Sequence, residues 1–334
     1  MEKRVAFTAL FHEEKTHLTR MQSDGSPVSR RGFIGYVGTA SAAYALGGGL
    51  LPFARSSSKK QPAGIQLYMI KDALEKDPAG TLKKVAAIGY EEVETAGLAN
   101  LSASEFRKLI VDAGLQCPSA HLFFGFEDTA KLLNDGKALG VQYVVSSVLL
   151  SNPPPISGSD FSAVLKALNN MTLDDFKKVA ALANHIGEEA KKVGLQYAYH
   201  NHNFEFRDQG AGKTGYSILL DETDPELVKF EADCGWMVAA GQDPVKYLKK
   251  YPGRYRMIHV KDFLPGSKPT TTLGDPDGPK STELGRGGIR YEPIFAAARH
   301  AGIEHYFVEQ EPPFTEMTPL EAAKVDLNYV KLLL

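Results

Sequence analysis

The sequence predicts an α/β fold, a single (β/α)8 TIM barrel. Eight short apolar runs alternate with helix-like segments between residues 61 and 334. Several of the helix-like segments stop at a glycine just before the next run, as at Gly114, Gly140 and Gly194. This alternation is typical of parallel strands joined by right-handed crossovers, and eight repeats favour closure into a barrel. No Gly-x-Gly-x-x-Gly follows the first run, so an open dinucleotide-binding sheet lacks its fingerprint.

The first four strands are predicted from apolar runs at residues 65–70, 91–95, 115–121 and 142–149. Helix-like segments at 78–88, 102–113 and 132–139 separate these strands. Ser102 and Glu105 form a capping box, which indicates where the second of these helices begins.

A loop rich in Pro, Ser and Gly at 150–170, with a short helix around 162–168, leads into the second half of the barrel. The remaining strands are expected from residue 195 and at 228–232, 255–261 and 305–309, with helices at 173–193, 244–250, 293–300 and 321–333. The segment 264–290 is long for a barrel loop, and long loops at a barrel mouth are often lids. Its glycine-rich stretch 285–288 is a weak match to a phosphate cradle, because no strand directly precedes it.

Residues 1–60 are interpreted as a signal segment and linker, and residues 61–334 as the barrel. Arg30 and Arg31 precede an apolar, Gly/Ala-rich stretch at 36–51, which is the order of an export signal. The arginine pair resembles the twin-arginine signal of bacteria, so we expect a periplasmic or otherwise exported protein that uses that export machinery. Pro52 departs from a strong cleavage site, which leaves two alternatives: cleavage after Ala54, with no stable membrane span afterwards, or a retained anchor.

Composition excludes several classes of protein. The 334 residues carry a formal net charge of −2, which argues against a nucleic-acid partner. Cys117 and Cys234 are the only cysteines, too few for a disulfide framework or a cysteine-based zinc site. The sequence leaves open whether the protein forms a homo-oligomer.

Four apolar runs in the second half end in an acid or a histidine. The run at 197–199 leads into His200 and Glu205, and the later runs lead into Asp233, His259 and Glu309. A parallel barrel brings the carboxyl ends of its strands to one mouth, where barrel enzymes keep their chemistry. These side chains would form a mixed oxygen and nitrogen site for a divalent cation.

Polar residues spaced by two are expected on the same face of a strand. This spacing pairs His259 with Lys261, His200 with His202, and Glu309 with Glu311. A neutral imidazole can ligate a metal, and Lys261 could hold a substrate oxygen or stabilise an enolate. The structural alternatives are a solvated lysine, a surface turn at the histidines, and a helix N-cap at Asp233.

Further residues are candidates for the substrate pocket. Glu94 and His121 end the second and third strands. Trp236, with Phe123, Phe124 and Phe126, could provide an apolar wall for a sugar ring, or could belong to the core.

Five segments, at 199–206, 233–236, 259–262, 283–288 and 308–311, resemble the sugar phosphate isomerase/epimerase family, whose fold is a xylose-isomerase-like barrel. The resemblance covers roughly residues 62–334. It implies that a Glu, an Asp, a His and a second Glu hold one divalent metal, manganese first, with zinc, cobalt, iron or magnesium as alternatives. The two glutamates would also shuttle protons.

Carried onto this chain, the resemblance matches Asp233, His259 and Glu309, with Glu309 preferred to Glu311. Many members end the fifth strand in Glu-Asn-His, whereas this chain reads His200-Asn201-His202. The first ligand is therefore either His200 or Glu205, and Glu205 is preferred.

The predicted function is an exported, divalent-metal-dependent sugar isomerase or epimerase. It would abstract a proton next to a carbonyl through a metal-stabilised enediolate. A non-phosphorylated sugar or keto-sugar is the expected substrate, since the chain is expected to be exported and has no convincing phosphate cradle. The predicted catalytic residues are Glu205, Glu309, Lys261 and His202, and the predicted substrate residues are His121, Glu94, His200, Trp236 and Glu311.

Three alternative functions share the barrel. A 3-keto-glycoside lyase or hydrolase would use the same metal site, and a non-catalytic barrel would only bind sugar. A DNA-repair endonuclease would need more zinc ligands and a basic face.

Overall fold

The computed structural model describes residues 61–156 and 161–334. In these residues the strands are β1 (Ala63–Gln66), β2 (Glu92–Ala96), β3 (Gln116–His121), β4 (Tyr143–Ser146), β5 (Gln196–His200), β6 (Val228–Asp233), β7 (Tyr255–Val260), β8 (Asp262–Phe263), β9 (Ser281–Thr282) and β10 (His305–Val308). Eight of them form a closed parallel barrel in the order β1-β10-β7-β6-β5-β4-β3-β2, and β8 pairs with β9 as a separate hairpin. The prediction of a single (β/α)8 barrel is confirmed.

Helices surround the barrel: α1 (Lys71–Lys76), α2 (Pro78–Ile88), α3 (Ala103–Asp112), α4 (Thr129–Leu139), α5 (Ser162–Asn169), α6 (Leu173–Lys192), α7 (Gly215–Glu222), α8 (Cys234–Ala239), α9 (Pro244–Lys250), α10 (Tyr291–Ala301) and α11 (Pro319–Val330). Two short 3-10 helices lie at Leu67–Ile70 and Phe204–Phe206. The Ser102–Glu105 capping box is present at the start of α3. Gly140 ends α4 in the left-handed conformation, as expected of a glycine stop.

Some predicted boundaries were wrong, and each has a local cause. The first strand was expected to reach residue 70 but ends at Gln66, whose side chain accepts a hydrogen bond from the Tyr68 amide and starts a 3-10 helix. The fourth strand ends at Ser146 instead of residue 149. Helices α1, α7 and α8 were not predicted, because each is short and continues directly from a strand or a turn.

The inside of the barrel is filled by alternate residues of the strands. A cluster of buried side chains there comprises Tyr143, Val145, Ala198, Met257 and Phe307. Gly64 on β1 makes room for the ring of Phe307: a Cβ at this glycine would lie 2.5 Å from a carbon of that ring. Because side chains alternate along a strand, the residues two positions further on face the same interior, nearer the carboxyl ends of the strands.

The long segment 264–290 is held against the barrel by hydrogen bonds to its backbone. The Asn169 side chain exchanges two hydrogen bonds with the backbone of Leu273, which is buried. The Asn203 amide donates to the carbonyls of Thr270 and Thr272, both at 3.1 Å. The part of the mouth next to α5 is therefore roofed by this segment.

The glycine-rich stretch surrounds a carboxylate of the protein itself. Asp262 accepts hydrogen bonds from the amides of Gly285, Ile289 and Phe263. A Cβ at Gly287 would lie 2.1 Å from Asp262 Oδ1, so only glycine permits this approach. The stretch therefore binds Asp262 in the way that a phosphate cradle would bind phosphate.

The predicted signal segment and linker at residues 1–60 lie outside the described residues. In the part of the chain that the structure describes, no helix has the length and apolar character needed to cross a bilayer.

Asp326 on α11 is a buried carboxyl group with incomplete hydrogen bonding. Its Oδ1 accepts from the Leu284 amide at 2.7 Å, and its Oδ2 is buried without a hydrogen-bond partner. Burial raises the pKa of Asp326 from 3.8 to about 7. The folded protein thus holds the Asp326 proton more tightly than the unfolded chain does. This proton makes its full contribution to the free energy of unfolding below about pH 3.8, and the contribution is lost as the pH rises through 7.

We expect Asp326→Asn to unfold less readily than the parent protein at pH 8, by about 1–4 kcal/mol, because the amide stays neutral and still accepts from Leu284. The advantage should grow between about pH 4 and pH 7 and level off above the pKa of Asp326, at about 7. Urea unfolding of both proteins across this range measures it. A difference in stability that does not change with pH would show that Asp326 does not titrate in this way.

Candidate active site

The barrel interior becomes polar at the carboxyl ends of its strands. Pairs of residues spaced by two point inward here, as expected for one face of a strand. The polar interior residues at this end are Gln66, Glu94, Ser119, His121, His200, Glu231, Asp233, His259, Lys261, Glu309 and Glu311, and all of them are buried.

Three histidines surround one carboxylate oxygen in the deeper part of the site. Glu231 Oε2 lies 2.8 Å from His121 Nε2, 2.9 Å from His200 Nδ1 and 3.2 Å from His259 Nε2. Glu94 Oε2 faces the same atoms, 3.1 Å from His121 Nε2 and 2.6 Å from His259 Nε2. The four residues His121, His200, Glu231 and His259, called the inner group below, come from β3, β5, β6 and β7.

Glu94 is fixed by two further side chains of the barrel interior. The Gln66 amide donates a hydrogen bond to Glu94 Oε2 at 2.9 Å, and the Ser119 hydroxyl donates to Glu94 Oε1. This carboxylate is therefore oriented toward the histidines before any ligand binds.

His259 links the deeper part of the site to a second group of acids. Its Nδ1 lies 3.1 Å from Glu309 Oε2 and 3.8 Å from Asp233 Oδ2. Asp233, His259 and Glu309 are called the outer group below. Both nitrogens of one imidazole thus face carboxylates, and His259 belongs to both groups.

The ammonium of Lys261 occupies the centre of the outer acids. Its Nζ lies 2.9 Å from Glu309 Oε2 and 3.1 Å from Asp233 Oδ2, and it donates a short hydrogen bond to Glu311 Oε1. It also lies 5.1 Å from the centre of the Trp236 ring, whose indole N–H donates to Glu311 Oε1 at 3.0 Å. Lys261 is buried, so its charge is balanced by these carboxylates and not by water.

The acids around Lys261 differ in their electrostatics: burial raises the pKa of Asp233 and of Glu311, whereas the pKa of Glu309 is lowered. Burial would raise the pKa of Glu309, but the cations of Lys261 and His259 outweigh it and hold that pKa well below its usual range. Burial would lower the pKa of His259, but Glu231, Glu309 and Glu94 raise it above the ordinary value for histidine. At Glu309 and His259, opposite charges therefore outweigh the effect of burial on the pKa.

Asp233 serves the fold and the site at once. Its Oδ1 accepts from the Trp236 amide at 2.7 Å and caps the start of α8, while its Oδ2 faces Lys261 and His259. The N-cap alternative and the site prediction therefore describe two oxygens of the same side chain.

Glu205 lies apart from both groups. The 3-10 turn at Phe204–Phe206 directs its carboxylate back to the amide of His202, at 3.0 and 3.1 Å, and to the Tyr199 hydroxyl at 3.0 Å. Burial raises the pKa of Glu205 to about 8. In this position Glu205 fixes the turn that follows β5, and the structure does not bring it to Asp233, His259 and Glu309.

His202 and Trp236 line the mouth above these groups. The His202 ring centre lies 5.1 Å from that of His200 and 5.9 Å from that of Trp236. Burial, followed by the nearby Lys261, lowers the pKa of His202 to about 3, so the imidazole is neutral. Its Nδ1 is buried and has no hydrogen-bond partner among the described residues.

A small pocket opens beside His121 at the ends of β2, β3 and β4. It is lined by Ala96, Gly97, His121, Leu122, Phe123, Ser147 and Val148. Of the aromatic residues proposed as an apolar wall, Phe123 thus lines this pocket, whereas Phe124 is fully buried in the core. Phe126 is half-buried and its ring packs against Phe123.

The donor set fits a divalent cation. The ligand atoms of the inner group, and separately those of the outer group, lie within 4.8 Å of one another. Imidazole nitrogens with carboxylate oxygens are ligands of zinc and related metals. Glu231 Oε1 is buried and has no hydrogen-bond partner among the described residues, which is costly unless a ligand binds it.

Sequence reasoning missed one prominent residue of the site, Glu231. It lies inside the run that was interpreted as an apolar strand, two positions before Asp233. The same spacing of two that links His259 to Lys261 could have identified it. The structure brings Asp233, His259 and Glu309 together as anticipated. It also brings His121 and His200 next to His259; both were predicted as substrate residues, and His200 was the alternative first ligand.

We expect Lys261→Met to lower the free energy of unfolding by about 3–5 kcal/mol, because it leaves three buried carboxylates without their cation. Lys229→Met on the preceding strand is the matched control: Lys229 is also largely buried, but its ion pair with the exposed Glu226 is long, at 3.9 Å. The control should change stability by less than about 1 kcal/mol. Urea unfolding at neutral pH compares the two, and equal effects would contradict the role given to Lys261.

Comparison with known proteins agrees with this architecture. An inosose dehydratase of Mesomycoplasma hyopneumoniae is 28% identical over 300 residues, covering 86% of this chain and 90% of the relative. The crystal structure of a sugar phosphate isomerase/epimerase from Parabacteroides distasonis is 26% identical, with a TM-score of 0.63 over 83% of this chain and 96% of that chain. An L-ribulose 3-epimerase shares the fold, with a TM-score of 0.57 at 15% identity over 81% of this chain and 94% of that chain. Residues 82–331 match the model of the xylose isomerase-like TIM barrel family, and the chain belongs to that family.

Proposed function

We propose that this protein is a divalent-metal-dependent sugar isomerase or epimerase that moves a proton on a carbon next to a carbonyl. One observation carries the proposal: the Glu309 carboxylate lies at the barrel mouth, 2.9 Å from a buried ammonium and 3.1 Å from an imidazole. This carboxylate is ionised at neutral pH, which is the form that a proton acceptor must have. Reaction next to a carbonyl also needs stabilisation of the negative charge that develops on the oxygen.

A metal held by imidazoles and carboxylates around His259 would supply that stabilisation as a Lewis acid. The residues available to hold it are those of the inner and outer groups. The family resemblance implies manganese first, and the number of histidines favours zinc, cobalt and iron.

The residues of the chain divide the remaining work. Glu309 and Glu311 keep 8% and 7% of their surface exposed, so both can reach a molecule in the mouth. Lys261 has no exposed surface on its side chain, and its ammonium holds both carboxylates in position. It is therefore proposed as a positioning residue, and Glu309 as the proton acceptor.

The neutral imidazole of His202 and the ring of Trp236 suit binding of a sugar. His202 Nδ1 is free to exchange a hydrogen bond with a hydroxyl, and Trp236 offers an apolar face beside it. Glu205 takes no direct part in this scheme: it holds the His202 backbone and through it the imidazole.

A non-phosphorylated substrate is favoured by the glycine-rich stretch at 285–288. The amides of Gly285, at its start, and of Ile289, directly after it, donate to the Asp262 carboxylate, whose negative charge would repel a phosphate. The proposed substrate is thus a free sugar or a keto-sugar, although the Parabacteroides relative is described as a sugar phosphate isomerase/epimerase. Export by the twin-arginine route, which rests on Arg30 and Arg31, belongs to the same proposal.

A lyase is the second candidate, and the inosose dehydratase relative favours it. Removal of a proton next to a ketone is the first step of both reactions. In a lyase, the group on the adjacent carbon then leaves as water or an alcohol, such as the aglycone of a 3-keto-glycoside. Detection of a released aglycone or of an unsaturated ketone separates the lyase from the isomerase.

We expect the metal-loaded protein to exchange a carbon-bound hydrogen of its substrate for deuterium in D₂O, and Glu309→Gln to slow that exchange by about 100- to 10,000-fold, because the amide cannot accept the proton. NMR of a panel of ketoses and keto-sugars measures the exchange. Glu92→Gln is the matched control, since Glu92 is a buried carboxylate at the opposite end of the barrel interior, paired with His305 at 2.8 Å. The control should exchange at the parent rate.

Two outcomes would contradict the proposal. Full exchange by Glu309→Gln would remove Glu309 from the reaction. Binding of a sugar without any exchange, release or rearrangement would indicate a non-catalytic sugar-binding barrel.

A further inference from the structure

The inner and outer groups of candidate metal ligands differ in one respect: the acids of the outer group already contact the ammonium of Lys261. The two groups share His259, whose Nε2 faces the inner group and whose Nδ1 faces the outer group. The choice between them decides where a metal binds in this barrel.

The outer group already contains a cation. Lys261 Nζ lies 3.1 Å from Asp233 Oδ2 and 2.9 Å from Glu309 Oε2, and it also bonds Glu311. A divalent ion bound to the same two oxygens would lie close to this ammonium in a buried site. The repulsion of like charges there disfavours a metal at the outer group.

The inner group contains no lysine, and the only cations that face its acids in the residues that the structure describes are the protonated forms of its own histidines, which become metal ligands when they release that proton. Among the described residues, the ion pairs of Glu231 and Glu94 involve histidines alone. Glu231 Oε1 is fully buried and has no hydrogen-bond partner in the described part of the chain. Asp233 Oδ2 of the outer group also lacks a hydrogen-bond partner there, but it faces the Lys261 ammonium at 3.1 Å. A buried carboxylate oxygen with neither a donor nor an ammonium beside it, on a side chain that contacts three imidazoles, is the feature expected of a metal ligand.

His259 also has the surroundings of a metal-bound histidine when its Nε2 is the ligand. Its Nδ1–H would then donate to Glu309 Oε2, at 3.1 Å. Metal-ligating histidines almost always donate their second ring N–H to a carboxylate, a carbonyl or water, which fixes the ring. Glu94, held by Gln66 and Ser119, faces the same side of His259 and would complete the negative charge around the ion.

We propose that the metal binds in the inner group, to His121, His200, His259 and Glu231. The Lys261 ammonium, and not a metal ion, then neutralises Asp233, Glu309 and Glu311. Three imidazoles and one carboxylate select zinc, cobalt or iron over magnesium and manganese. The inference rests on the metal dependence proposed above and assigns its ligands. It also leaves Glu309 free of the metal and able to move a proton.

X-ray absorption at the zinc edge of the zinc-loaded full-length protein tests the ligand set without any substrate. Multiple scattering from imidazole rings should fit three histidines per zinc. A fit with one histidine and oxygen ligands, as the outer group would give, overturns the inference, and so does the absence of bound zinc.

A matched pair of variants tests the same point by affinity. Glu231→Gln and Asp233→Asn each neutralise one buried carboxylate of β6, and asparagine still caps α8. We expect Glu231→Gln to weaken zinc binding by at least about 100-fold and Asp233→Asn by less than about 10-fold, measured by competition with a chromophoric chelator. A larger loss of zinc affinity in Asp233→Asn than in Glu231→Gln, or an equal loss in both variants, would overturn the assignment.

These tests separate the two proposals. If zinc binds the inner group but no sugar exchanges deuterium, the ligand assignment holds and the proposed reaction fails. If exchange occurs with the metal among Asp233, His259 and Glu309, the reaction holds and the assignment fails.

Discussion

The buried ion pairs of Lys261 are the interaction on which the rest of the site depends. An ammonium without water must be surrounded by acids, and Asp233, Glu309 and Glu311 provide them from β6 and from the end of β10. The same contacts fix neighbouring structure: Asp233 caps α8, and α8 carries Trp236, whose indole N–H binds Glu311. One lysine thereby joins two strand ends, a helix start and the aromatic wall of the mouth.

The alternation of side chains along parallel strands explains why these charges are at one end. Residues spaced by two share the barrel interior, so Met257 leads to His259 and Lys261, and Phe307 leads to Glu309 and Glu311. The middle of the barrel is apolar and closely packed, with Gly64 making room for Phe307. The polar end is thus built on a rigid floor, which suits groups that must keep their geometry during proton transfer.

Much of this arrangement could be predicted from the sequence, because periodicity and strand-end residues carry it. The barrel, and the meeting of Asp233, His259 and Glu309, follow from that pattern. Glu231 could have been placed on the inner face, because it lies two positions before Asp233, but the sequence could not show that three histidines would surround it. The sequence could not place Glu205 either, because a 3-10 turn of three residues decides where that carboxylate points. The binding of Asp262 by the glycine-rich stretch depends on a close approach between distant segments, which periodicity does not record.

The central claim is that a buried cluster of imidazoles and carboxylates below Lys261 holds a metal, while Glu309 remains available at the mouth. Anomalous diffraction from crystals of the zinc-loaded protein, recorded on both sides of the zinc absorption edge, locates the ion directly. The account predicts one strong peak between His121, His200, His259 and Glu231, with the Lys261 ammonium still bonded to Glu309 and Glu311. A peak between Asp233 and Glu309 with Lys261 displaced, or no peak in the barrel, would contradict it.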